Sequence, residues 1–152
     1  DPGFADYMVA YGKGGLRSLR HASLKNLAAL YWYTVEFGLI NTEDGLRIYG
    51  AGIVSSPAES KFSLEDPSPN RIGFALQRLM RTDNRIDDFQ QTYFVIDSYE
   101  QLFRSTVDTD FAPIYADLQG QFDLKPEDIL PEDAVFSRGT QAYANKGGRF
   151  AA

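Results

Sequence analysis

The sequence contains no cysteine and a single histidine, His21. The first absence excludes disulfides and thiolate metal sites and fits a reducing compartment. With one imidazole, outside any motif, neither a zinc site nor a Ser-His-Asp triad can be read from the chain. There is no run of basic residues and the net charge is −6, which argues against nucleic acid or an anionic membrane surface as a partner. No apolar stretch approaches the roughly 18 residues of a membrane-spanning helix. No charged-then-apolar leader is visible at the start, so a soluble, cytoplasmic polypeptide is expected. Repeats and low-complexity tracts are also missing, and residues 121–152 carry no heptads for a coiled coil.

What is present is a 152-residue chain, 43% hydrophobic and 14% aromatic, enough for one domain with a real core. The rest is arranged around residues 24–40, LKNLAALYWYTVEFGLI. Ser23 is a good N-cap, and nothing breaks a helix before Gly38. Apolar side chains on every side of the helical wheel predict a helix buried all round. Between 27 and 40 the only ionisable carboxylate is Glu36, on the face that would carry Ala29, Trp32, Tyr33 and Ile40. An isolated carboxylate is costly to desolvate as an anion, so Glu36 must be protonated, paired or bound to a cation. From residue chemistry alone the simpler reading is a glutamate paired with an arginine or a tyrosine hydroxyl, and rings at helical spacing are core.

Residues 1–11 read as a short helix with Phe4, Tyr7, Met8 and Tyr11 at helical spacing, ended by Gly12, Gly14 and Gly15. YGKGG fits neither a Walker pattern nor a dinucleotide fingerprint and reads as a turn. Residues 16–22 form a basic connector in which His21 is a solvated loop residue. After a polar turn at 41–45 and a short strand at 46–49, Gly50 and Gly52 permit close backbone approach. A helix is predicted over 57–64 with Pro57 in its first turn, a loop over 65–70, and an amphipathic helix over 72–81. TYFVI at 92–96 is β-branched and aromatic, hence a strand. Ser98 and Gln101 have capping-box spacing for a helix to Thr106, and residues 111–118 form a helix capped by Asp110 and Gly120. Asp87–Asp88 and Glu127–Asp128 read as solvated surface. Past residue 120, prolines, acidic pairs and glycines predict a loosely packed tail. The fold class expected is mainly α with a minor β-sheet.

Five blocks occur in order: FADYMVAYGKGG at 4–15, LYWYTVEFGLI at 30–40, YGAGIVSS at 49–56, SPNRIGFALQRLM at 68–80 and DFQQTYFVIDSYEQLF at 88–103. Together they resemble the aromatic amino acid hydroxylases, the pterin-dependent non-haem iron enzymes, and the wording is closest to the bacterial phenylalanine-hydroxylating branch. The resemblance covers about residues 1–120 and implies the C-terminal part of that family's catalytic domain. The family's His-x-x-x-x-His segment would fall just before Asp1, so the chain alone is expected to be inactive.

The activity implied is hydroxylation of L-phenylalanine to L-tyrosine with O2 and tetrahydropterin at an Fe(II) centre, in a parent protein expected to be monomeric. Such centres commonly use two imidazoles and one carboxylate on one face of the metal. By resemblance, Glu36 is the catalytic carboxylate and third iron ligand. Trp32, Phe37 and Gly52 line the amino acid pocket, with Ser55, Ser56 and Glu59 beside it. Ser55 would bond an iron-ligating histidine, and Glu59 would organise the pocket entrance. Ala28 and Tyr31 fall near the pterin. Asn84 stands where relatives carry tyrosine at the pocket rim, and Phe89 and Gln90 are expected to be structural. The alternative is a non-catalytic fragment, or an aromatic-ligand-binding remnant without iron.

Overall fold

The computed structural model describes residues 9, 13, 24–107, 109–119 and 121–148. The expected first helix, the glycine turn, the connector with His21 and the caps at Ser23 and Gly120 lie outside the described residues, save Val9 and Lys13, both helical and exposed.

Helix α1 (Leu24–Tyr31) buries Asn26, Leu27, Ala29 and Leu30, while Leu24, Lys25 and Ala28 face outward. It is one-sided, not buried all round. The Asn26 amide donates to the carbonyls of Met80 at 2.9 Å and Gln121 at 2.7 Å, which explains a polar residue on the inner face. The helix then widens into a π turn (Trp32–Glu36), closed by the Phe37 N–H on the Trp32 carbonyl at 2.9 Å. Thr34 donates its hydroxyl back to the Leu30 carbonyl, a bond that disturbs regular α-helical winding.

The continuous helix expected to Ile40 therefore ends at Glu36. Leu39 and Ile40 belong instead to strand β1 (Leu39–Thr42), which forms a hairpin with β2 (Gly45–Ile48). A short apolar run suits either period, and here its pairing with Val95 and Ile96 decides for strand.

Next come α2 (Ala51–Val54) and α3 (Pro57–Glu65), then β3 (Asn70–Gly73) and α4 (Leu76–Met80). Ile72 and Gly73, expected in a helix, are strand residues because β3 pairs in parallel with β4 (Thr92–Ile96). All five residues of β4 are buried, as its apolar run on both faces requires. Helices α5 (Tyr99–Thr106) and α6 (Phe111–Leu118) follow as expected. Ser98 Oγ accepts from the Gln101 N–H at 3.1 Å and Asp110 caps α6 through Ala112 at 3.1 Å. At the far end of α6 the left-handed residue is Gln119, φ 48°.

From 121 to 148 the chain is knitted to the body, not loosely packed, while the last four residues of the expected tail lie outside the described residues. Strand β5 (Val135–Ser137) adds antiparallel to β3, completing a five-stranded mixed sheet of order β2-β1-β4-β3-β5. Leu124 is buried and exchanges backbone bonds with Arg81 and Asp83. Asp133 takes a salt bridge from Arg78 at 3.0 Å, and the Gly139 N–H donates to Asn70 Oδ1 at 2.7 Å. Tyr143, in α7 (Ala142–Asn145), packs on Phe62 and Phe89. Each tie depends on a particular partner, which composition does not display. The helix-rich reading holds, with the sheet as the frame. Leu27, Leu30, Tyr33, Leu79, Met80 and Phe94 form the core of the α1 side. Phe37, Leu39, Ile53, Phe62, Tyr93 and Val95 form the core on the α2–α3 side.

Candidate active site

Glu36 is the last residue of the π turn and is half-buried. Its Oε1 accepts the Tyr31 hydroxyl at 3.2 Å, and no basic side chain pairs with it among the described residues. Of the partners considered above, the structure supplies the tyrosine. Burial, and then the bond to Glu36 and its charge, hold the Tyr31 hydroxyl above its usual pKa.

The other carboxylate oxygen faces Gly52, where a Cβ would stand 2.9 Å from Oε2 and 2.9 Å from Phe37 Cζ. At Gly50 a Cβ would collide with the backbone of Glu36 and Gly38. These two glycines let the start of α2 dock directly on the end of the π turn.

Trp32 packs against Phe37 with ring centroids 4.7 Å apart. Its Nε1–H donates to Gln90 Oε1 at 3.0 Å. Glu36, Tyr31, Trp32, Phe37 and Gly52 are thus brought together. The remaining candidates have other partners. Ala28 lies on the exposed face of α1, one turn before Tyr31. Ser55 Oγ donates to the Gly52 carbonyl at 3.1 Å, and Ser56 Oγ caps α3 by accepting from the Glu59 N–H at 3.2 Å.

Glu59 is not a solvated helix residue. It is 5% exposed, and its Oε2 accepts the Tyr93 hydroxyl at 2.6 Å and the Gln90 N–H at 3.2 Å. Burial first, and the Glu59 charge next, push the Tyr93 hydroxyl far above its usual range. Asp88, expected on the surface, is also buried and accepts the Tyr143 hydroxyl at 2.7 Å. Asn84 is half-exposed, and its N–H donates to Asp83 Oδ1 at 2.8 Å.

The contact missed in the sequence is that of Gln90, expected only to be structural, which is the acceptor for Trp32. The usable signal was the indole itself, since a buried Trp N–H needs an acceptor. Among the described residues no three His, Cys, Asp or Glu side chains cluster to hold a metal. Beside Trp32 and Phe37 stands the Glu36 carboxylate, half-buried and with no cationic partner among the described residues, a donor type that suits an iron ligand. No described helix is long and apolar enough to cross a membrane.

Residues 1–125 match the family described as biopterin-dependent aromatic amino acid hydroxylase. The chain is 64% identical over 151 residues to phenylalanine-4-hydroxylase of Caulobacter vibrioides, covering 99% of this chain and 51% of that protein. Against the phenylalanine-4-hydroxylase of Ralstonia nicotianae it is 58% identical, covering 93% of this chain and 45% of the relative. The similarity to the Caulobacter protein thus continues through residues 121–152, where the sequence blocks give no match. The iron- and phenylalanine-bound crystal structure of phenylalanine hydroxylase from Chromobacterium violaceum superposes with a TM-score of 0.86 at 57% identity, covering 90% of this chain and 50% of that one. The chain spans about half the length of the curated relatives it matches.

Proposed function

The chain belongs to the biopterin-dependent aromatic amino acid hydroxylases, and from that premise we propose that it is the glutamate-bearing part of a phenylalanine 4-monooxygenase. The observation that carries this reading is the Glu36 carboxylate, bonded to Tyr31 and facing a glycine beside the Trp32–Phe37 pair. Glu36 is the residue here that would hold Fe(II), and Tyr31 and Ala28 mark the pterin side. When bound, iron and tetrahydropterin supply the activation of O2 for insertion into an aromatic ring.

The rest is the work of this chain's side chains. The Tyr31 hydroxyl fixes Glu36 Oε1 and so orients the carboxylate plane. Trp32 and Phe37 present adjoining ring surfaces that seat a flat substrate by stacking and edge contacts and exclude water from it. Gly52 keeps the space against the carboxylate clear, and Ser55 and Ser56 hold the α2–α3 corner in place. Glu59 acts on the pocket from behind, through Gln90.

The test is anaerobic Fe(II) titration of this chain and of the full-length natural protein that carries it, each with and without Glu36→Ala. The full-length protein should bind Fe(II) and convert L-phenylalanine to L-tyrosine. Glu36→Ala should weaken metal binding by at least about a hundredfold, since even groups that only support a ligand are worth roughly 10–100-fold. Unchanged binding in Glu36→Ala would make the carboxylate structural. Aromatic amino acid binding without any Fe(II) binding would favour a ligand-binding remnant.

A further inference from the structure

We propose that Gln90 is a positioning residue that sets the orientation of the Trp32 indole, anchored in turn by the buried Glu59–Tyr93 pair. This rests on the reading of Trp32 as a wall of the amino acid pocket. Gln90 is 1% exposed and directly precedes the segment leading into β4. Its amide has one orientation open to it, because Nε2 donates to the Arg85 carbonyl at 2.7 Å and the Asp88 carbonyl at 3.3 Å. Those bonds turn Oε1 toward the indole, which it meets at 3.0 Å. The Gln90 backbone is held as well: its N–H donates to Glu59 Oε2, the atom that also receives the Tyr93 hydroxyl.

Trp32 is therefore fixed at two points. Phe37 supports its ring face, and Gln90 fixes its N–H edge. With the edge released, the indole keeps its packing partner but can tilt about its side-chain torsion, which is broad for an aromatic ring. The pocket would then keep its volume and lose its shape. A residue 58 positions away in the chain thereby governs how a flat substrate is seated.

The experiment uses the full-length protein with Gln90→Met, Trp32→Phe and the double variant. It reads the indole N–H NMR resonance without ligand, steady-state kinetics with L-phenylalanine, and the thermal midpoint. Gln90→Met should move the Trp32 resonance and raise KM about tenfold, the scale of one lost buried hydrogen bond, with a smaller change in kcat. In the Trp32→Phe background the same substitution should raise KM less than about twofold, because coupled residues are not additive.

Equal KM effects in both backgrounds, or an indole resonance that stays put in Gln90→Met, would overturn the proposal and leave Gln90 a structural residue. Should the wild-type protein fail to act on L-phenylalanine while Gln90→Met still moves the resonance, the substrate reading falls and the positioning role stands. If Gln90→Met does not fold, Gln90→Asn, which withdraws the amide by one methylene, carries the same test.

Discussion

Arg78 and Glu36 are both ionisable side chains set into the body of the protein, and their surroundings treat them in opposite ways. Arg78, with 7% of its side chain exposed, bonds to Asp133 at 3.0 Å, to Thr82 Oγ1 at 2.7 Å and to the Asp128 carbonyl at 2.8 Å. It also lies over the Phe94 ring, 5.6 Å from its centre. Arg71 is similar, donating to the carbonyls of Ser63, Phe62 and Asp66 and to Ser137 Oγ. Among the described residues Glu36 accepts a single hydroxyl, at 3.2 Å, and otherwise faces an aromatic ring and a glycine. A carboxylate can accept several hydrogen bonds, so this one retains most of its capacity. Fully satisfied charges fix the fold, and a lightly satisfied one is available for chemistry.

The contrast can be broken most forcefully at Arg78. Arg78→Met would strand Asp133 in the interior and should cost about 3–5 kcal/mol, measured by denaturant unfolding. A variant as stable as the parent would mean that the bonds around Arg78 do not hold α4 and the C-terminal segment together.

High pH probes the same region through its phenols. Burial pushes Tyr33 and Tyr93 far above the usual range, with Asp83 and Glu59 as the next causes. A raised folded pKa favours the neutral form, so this stabilisation is complete below the unfolded value near pH 10 and declines as pH rises above it. Stability should be insensitive to these groups below pH 10 and then fall by about 1.4 kcal/mol per pH unit for each phenol. Unfolding midpoints measured alongside phenolate absorbance would show it. A flat profile to pH 11.5 (roughly one and a half units past the free phenol) would contradict the burial assigned to both rings.

The smallest effect is expected at the site. Gly52→Ala places a methyl 2.9 Å from Glu36 Oε2 and Phe37 Cζ, an overpacking worth about 1–3 kcal/mol. On the proposed reading of the site, it should appear in the full-length protein mainly as weaker Fe(II) and L-phenylalanine binding, with a modest fall in thermal midpoint. Unchanged binding would show that the glycine serves backbone packing alone.

Much of the frame could be read before the coordinates. TYFVI became β4 residue for residue, and Ser98, Asp110 and Pro57 mark their helices because caps and first-turn prolines are local chemistry. The errors lie where distant partners decide. Leu39 and Ile40 are strand because β4 lies beside them, and Ile72 is strand because it lies on the other side of β4, opposite Phe94. Asp88, Glu59 and Asp133 look like surface carboxylates until Tyr143, Tyr93 and Arg78 are placed against them. At the site, family resemblance named the residues now gathered at Glu36. Gln90 was expected to be structural, and its bond to Trp32 stayed hidden because a glutamine in a polar stretch says nothing about which indole it faces.

The π turn bears on how such a site can change over time. Substitutions alter what a side chain is and leave the direction of its neighbours alone. Glu36 owes its direction to one wider turn, closed by Phe37 on Trp32. Loss of Tyr33, Thr34 or Val35 would let the same two partners, Phe37 and Trp32, close as a regular α-helical bond four residues apart, so the wider turn is where one extra residue is carried between fixed flanks. The length of this segment is therefore tolerant by one residue, and the elements on either side need not shift when it changes.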